Sequence, residues 1–348
     1  MSPMARDKKR TVKMSPMALA LAAGLAPVLL GCQGPAARPA ATPVEPAVSP
    51  VDEQVAESLT SVGRQLEAEG NFDEALTTFN QALAKNPRLT DAHLGIGDVF
   101  RTQGDYDQAA AAYRSAIIIN PNNFDARYFY GLTNQLDGLT DAAIASYERA
   151  LVIRPNSFPA NRDIGSAHLQ HGDPEAAIPY AQRATELDPE SQAAWANLGA
   201  AYSLVGDYSG AIEAYRQTLE LGEPAEPIML GLADAHIQLG NYQRAENVLR
   251  ATLRSESGPI GYERLGFVLF RQAKFEDALA AYLETLKLIP GDVAALNGAG
   301  VCQMALYLDG GENEDKLRVR ALNNWRRSLA IDRDQPMLID LISRYSKE

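Results

Sequence analysis

Gly63, Gly97, Gly131, Gly165 and Gly199 recur every 34 residues, and Gly70, Gly104, Gly138, Gly172, Gly206 and Gly240 repeat the same interval seven places later. A period of that length marks an array of small units, none of which can bury its apolar face alone and each of which is completed by its neighbour. The 348-residue chain is therefore expected to form a solenoid, not a globule around one core.

Other columns keep the interval. Ala75, Ala109, Ala143, Ala177, Ala211 and Ala245 form one, Ala82, Ala116, Ala150 and Ala184 another, and Phe79, Tyr113, Tyr147 and Tyr215 a third, with Ala181 in its gap. The first glycine column lies mid-helix, where glycine costs about 1 kcal/mol relative to alanine. A close helix crossing, with another backbone passing by, is the expected reason. The second column ends each first helix, since glycine readily takes the left-handed conformation that closes a helix. Asn71, Asp105 and Asp207 follow it and are expected to cap the next helix through their side-chain oxygens. Pro87, Pro121, Pro155 and Pro189 stop that second helix. Each unit thus reads helix, turn, helix, proline-marked turn.

These columns resemble those of the tetratricopeptide repeat, most completely at Trp195, Leu198, Gly199 and Tyr202 with Ala211 and Tyr215. The resemblance implies an all-α, right-handed superhelical solenoid of about eight helix-turn-helix repeats closed by a C-terminal cap helix. The units fall at residues 56–89, 90–123, 124–157, 158–191, 192–225, 226–258, 259–292 and 293–335. The sixth is one residue short, with Ser257 in the proline position, and an irregular joint is expected there. The eighth is nine residues longer than the period. Its extra length is placed in an acidic surface loop near residues 308–316 (Asp309 to Asp315), which lacks the ligand spacing of a calcium loop. Met337, Leu338, Leu341, Ile342 and Tyr345 have helical spacing and supply the cap within residues 336–348.

Residues 1–31 follow different rules. Lys8, Lys9, Arg10 and Lys13 precede an apolar run from Met17 to Leu30, and Leu29, Leu30 and Gly31 lead into Cys32. The run is short of the ~20 residues a spanning helix needs and contains Gly24 and Pro27. The order resembles a bacterial lipoprotein signal peptide. That resemblance implies cleavage before Cys32 and acylation of its thiol and new amino group, several acyl chains holding far better than one. Gln33, where an Asp would favour inner-membrane retention, points to the outer membrane with the chain facing the periplasm; an inner-membrane lipoprotein is the alternative. Residues 32–54, rich in Pro and Ala from Gly34 to Pro50, read as a tether to the solenoid of residues 55–348.

The net charge is −12, and removing residues 1–32, with five basic and one acidic side chains, leaves −16. No basic stripe stands out to neutralise phosphates, so nucleic acid is not an expected partner and anionic headgroups should repel the solenoid. Cys32 and Cys302 are the only cysteines; once Cys32 is lipidated no internal disulfide can form. His93, His168, His171 and His236 fall mostly at packing positions, without a completed metal-ligand set. No phosphate loop or nucleophile elbow is present. We therefore expect no cofactor, no metal and no enzyme.

Binding is the remaining class. In tetratricopeptide arrays the first helix of each unit lines a concave groove, and the resemblance carries that wall onto this chain. Early units place Thr60, Arg64, Glu67, Asp98 and Arg101 there, and the middle Tyr128, Leu132 and Arg162. Later units place Leu230, Asp234, Ile237, Phe267, Phe270, Val301 and Met304, beyond the small Ala196 and Ala200. A polar entrance leading to an apolar half suits a peptide or protein segment with apolar anchors. Packing against neighbouring helices is the competing role for the apolar residues. Asp98 and Leu94 occupy part of the wall that family co-chaperones use to clamp a peptide carboxylate. The expected function is a periplasmic scaffold in envelope assembly: pilus or secretion, outer-membrane or cell-wall machinery. Self-association as a structural lipoprotein, and an accessory role in polysaccharide synthesis or export, stay open.

Overall fold

The computed structural model describes residues 48–223, 225–255, 258–310 and 315–346. Cys32, the signal segment and most of the tether lie outside the described residues, as do Ser257 and the middle of the long insert. Among the described residues the chain is a run of helices without strands. They pair as hairpins: α1 (Pro50–Ala68) with α2 (Phe72–Lys85), α3 (Thr90–Gln103) with α4 (Tyr106–Ile119), α5 (Phe124–Leu136) with α6 (Thr140–Ile153), and α7 (Phe158–His171) with α8 (Pro174–Leu187). The later hairpins are α9 (Gln192–Val205) with α10 (Tyr208–Leu221), α11 (Glu226–Gln238) with α12 (Tyr242–Ser255), α13 (Pro259–Arg271) with α14 (Phe275–Leu288), and α15 (Val293–Asp309) with α16 (Asp315–Ile331); α17 (Pro336–Tyr345) closes the array against α16. First helices of successive units touch along most of the chain, as in α1 with α3 and α13 with α15, whereas successive second helices show no comparable contact. The array therefore curves with its first helices inside.

The mid-helix glycines make room chiefly for rings. A Cβ at Gly97 would stand 2.6 Å from Tyr113 Cε1, one at Gly199 2.7 Å from Tyr215 Cδ1, and one at Gly131 2.9 Å from Tyr147 Cδ1. Each ring, sixteen residues downstream on the partner helix, lies flat on its glycine, and Phe79, Tyr113 and Tyr147 are fully buried. Some rings meet a second glycine in the next unit: Phe79 is wedged between Gly63 and Gly95, and Tyr282 between Gly266 and Gly298. Where Ala181 replaces the ring, the nearest atom to a Cβ on Gly165 is the Ala181 amide nitrogen, 3.4 Å away. The expected backbone approach is found there and, beside the ring, at Gly131, where the Ala143 carbonyl oxygen would lie 3.3 Å from a Cβ. The sixth unit exchanges both partners, pairing Ala233 with Leu249, and in the eighth Trp325 fills the ring position against Gly300.

The glycines that end first helices have positive φ, from 72° at Gly240 to 89° at Gly172. In the seventh unit the same position is Ala273, with φ 59°, the one non-glycine residue in this region among those described. A side chain in the left-handed conformation costs about 1 kcal/mol. Ala273→Gly should accordingly raise the unfolding free energy by about 1 kcal/mol, read from chemical denaturation; an unchanged or lowered midpoint would show that the backbone there is held in place by something other than its own conformational preference. Asp105 and Asp207 cap the following helices, accepting from the Gln108 and Gly210 amides at 3.3 and 3.0 Å. Asn71 makes no such bond; its amide is turned to Glu69.

Two boundaries differ from expectation. The helix starts at Pro50, inside the segment read as tether, because Ser49 accepts from the Asp52 amide and Pro50 occupies the first turn, where its fixed φ suits a helix and no N–H is missed. The long eighth unit spends much of its extra length on helix: α15 and α16 have 17 residues each, against 14 in α14. Apolar spacing from Val301 to Leu308 carries α15 onward to Asp309 and α16 begins at Asp315, so both ends of the segment read as a loop are helical.

Candidate functional site: the inner wall

Along the inner wall, side chains reach one another across successive units at about one repeat length. Arg64 Nη1 on α1 meets Asp98 Oδ2 on α3 at 2.6 Å and Glu67 at 3.0 Å. Tyr113 OH donates to Asp98 Oδ1 at 2.7 Å and accepts from Arg101 Nε at 3.2 Å. Burial, reinforced by Asp98, pushes the Tyr113 phenol well above its ordinary range. The Arg101 guanidinium also lies over Phe129, 5.3 Å from its centroid. Thr60 is buried and turns back onto its own helix, donating to the Ala56 carbonyl.

In the middle, Tyr128 OH donates to Asp163 Oδ2 at 2.7 Å, and Arg162 Nε donates to Asp163 Oδ1 at 2.6 Å. The structure thus joins two expected wall residues through a third that the sequence reading passed over. Gln135 and Gln170 continue the ladder at 3.0 Å. Leu132 packs beside Tyr128 against the Tyr147 and Ile164 core. Further along, Arg264 grips Asp234 through Nε and Nη2 at 2.5 and 2.8 Å, joining α11 to α13. The arginines of this wall from Arg64 to Arg264 are thus committed to carboxylates within it, which leaves them poorly placed to hold a ligand's carboxylate.

The apolar candidates divide. Leu230, 9% exposed, and Met304, 5% exposed, are core residues: Leu230 packs in a cluster with Leu249 and Leu265, and Met304 in one with Trp325 and Leu338. Ile237 and Phe267 are half-buried against the same cluster as Leu230. Phe270, Val301 and Met304 converge on one apolar cleft of about 220 Å³, whose other walls include Phe275, Leu308 and Tyr345. The cleft spans α13 to α17, and Leu308 on its rim is 48% exposed. Phe275, Leu308, Leu341 and Tyr345 were not among the expected residues. The one available signal was the cap helix's own apolar stripe, which must face the preceding unit.

Buried polar groups also lie outside the wall. His168 and His236 are buried with Nδ1 unpartnered, and burial lowers both pKa values. His171 lies between Asp141 and Asp173 at 3.2 and 3.5 Å. Cys302 is fully buried, and burial pushes its thiol up to about 12. Among the described residues no group of three His, Cys, Asp or Glu side chains is placed to share a metal ion.

One observation corrects the charge reading. Between Lys316 and Ile331, α16 carries five cations and no carboxylate, and helical periodicity gathers Lys316, Arg320 and Arg327 on its solvent face. The net charge of the chain hides this basic stripe.

A curved stack of helical hairpins with its first helices on the inner side defines a repeat scaffold suited to holding other chains. Tetratricopeptide repeat family models match residues 63–124, 101–158, 162–227 and 263–306, and residues 203–260. The chain belongs to the tetratricopeptide repeat family. It is similar to the solved structure of a MamA protein, at 30% identity and a TM-score of 0.46 over 48% of this chain and 92% of that one. It is also similar to PilF of Pseudomonas aeruginosa, at 18% identity and a TM-score of 0.52 over 61% and 97%. A tetratricopeptide repeat protein from Parabacteroides merdae aligns at 18% identity and a TM-score of 0.50 over 72% and 99%. The last two show a shared fold. No curated protein matches the chain.

Proposed function

We propose that this chain is a lipid-anchored scaffold on the periplasmic face of the outer membrane, whose inner wall holds a protein segment during envelope assembly. Support for the location comes from the basic, apolar and small-residue order ending at Cys32 and Gln33. No described helix is long and apolar enough to cross a membrane, so attachment by acyl chains supplies what the helices do not. The observation that carries the binding role is the apolar cleft between α13 and α17, at the end of a wall whose charges are already paired. It suits an extended or helical segment with one or two large apolar side chains, for which a desolvated pocket provides most of the affinity.

The test is cross-linking in intact cells followed by membrane fractionation and mass spectrometry. A Phe270→Ser, Leu308→Asp variant, confirmed to be helical, should lose the dominant partner while staying in the membrane fraction. A Cys32→Ala variant should leave that fraction or accumulate unprocessed. Partner capture unchanged by the cleft variant would refute the groove reading, and a processed, membrane-held Cys32→Ala chain would refute the anchor.

A further inference from the structure

We propose that the solvent face of α16 is a docking surface for anionic phospholipid headgroups. Lys316, Arg320, Asn323 and Arg327 are exposed at the i, i+4, i+7, i+11 spacing of one helix face, a row of roughly 17 Å at 1.5 Å per residue. Arg326 flanks it. Among the described residues none of these four cations pairs with a carboxylate. Arg327 Nη2 instead donates to the Pro290 carbonyl at 2.8 Å and Arg326 Nη2 to Ser346 Oγ at 3.4 Å. Several other second helices carry exposed cations seated on exposed carboxylates: Lys85 on Asp52, Arg183 on Glu186, Arg216 on Glu213 and Lys287 on Glu284. Such pairs are solvated and nearly neutral. The α16 row, bracketed by Asp315 and Asp332, stands out as four cations with no carboxylate between them.

The chain as a whole is acidic, but at physiological salt charges beyond about 8 Å are screened, so a flat anionic surface against α16 feels the local row. A second feature selects lipid over an acidic protein segment. This end of the array also exposes large apolar side chains: Val319 at 43% and Ile331 on α16, Met337 at 82% and Ile339 on α17. Cations with exposed apolar side chains around them, on a convex helix that offers no groove to grip a peptide, suit a headgroup layer with hydrocarbon beneath it. Each Lys or Arg near an anionic leaflet strengthens binding about five-fold. Four of them give a preference of several hundredfold at low salt, weak alone and effective when another attachment keeps the chain near the surface. The inference rests on α16 and does not require the acyl anchor.

The test uses the full chain carrying Cys32→Ala, so that no acyl group contributes, immobilised at low salt under vesicles of phosphatidylcholine alone or with 30% phosphatidylglycerol. The N-terminal cations are the same in every variant, so differences between variants report α16. The expected result is salt-sensitive binding to the anionic vesicles that falls about a hundredfold in Lys316→Glu, Arg320→Glu, Arg327→Glu. The matching glutamine triple variant should lie between, an order that unfolding would not produce. Equal binding by parent and both triple variants would overturn the proposal. So would stripe-dependent binding of polyglutamate or duplex DNA without stripe-dependent vesicle binding.

Discussion

Gly97→Ala is expected to lower the unfolding free energy by about 2–3 kcal/mol, whereas Gly165→Ala, at the same place in the repeat, should be neutral or stabilising by up to about 1 kcal/mol. The two glycines share a column and differ only in what faces them. A methyl group on Gly97 would sit 2.6 and 2.7 Å from two carbons of the Tyr113 ring. That ring is fully buried, and its hydroxyl is held by Asp98 and Arg101. It cannot tilt away without breaking those bonds. A methyl on Gly165 meets only the Ala177 and Ala181 backbone at ordinary contact distances of 3.4 to 3.7 Å, and the helix gains the better propensity of alanine. Denaturant unfolding with hydrogen exchange on α3 and α4 reads the difference, since an array of this kind loses stability locally. Equal effects at the two positions would mean that the rings do not set the packing distance.

Glu246 carries the second large effect. It is 5% exposed and accepts from Lys274 Nζ at 2.8 Å, Gln272 Nε2 at 2.9 Å and Arg250 Nε at 2.9 Å, tying α12 to the turn between α13 and α14. Burial alone would raise its pKa; the hydrogen bonds from Lys274, Gln272 and Arg250 outweigh burial and hold the carboxyl down at about 2. The folded chain therefore releases this proton more readily than the unfolded chain, whose glutamate keeps the ordinary value of 4.5. The resulting stabilisation, about 3 kcal/mol, is complete above pH 4.5 and is lost as pH falls toward 2. Glu246→Gln should cost about 3 kcal/mol at pH 7, and the gap between variant and parent should close as pH falls through that window. A gap that stays constant with pH would show that the ionised carboxylate is not what joins these units.

How the wall is wired depends on side chains that meet at about one repeat length, such as Arg64 with Asp98 and Tyr128 with Asp163. The residue types were visible, and so was the period. Which member of one unit meets which member of the next was not, because an offset of 34 or 35 residues changes the partner completely. Leu230 and Met304 show the same limit. Their spacing puts them on a first helix, but only the angle at which the neighbouring helix crosses decides that they are buried in the core. The cleft draws on residues from Phe270 to Tyr345, and no local pattern spans that distance.

The sequence by itself determined the architecture: a 34-residue period, a glycine that ends most first helices and a proline that stops most second ones leave a hairpin array as the consistent outcome, because these constraints act within a few residues along the chain. The tertiary structure alone decided why the mid-helix glycines exist, which wall charges neutralise one another, where the apolar cleft opens and that α16 turns Lys316, Arg320 and Arg327 outward. Those outcomes depend on the distances and angles between helices, set by ring size and packing across units, and a linear pattern does not contain them.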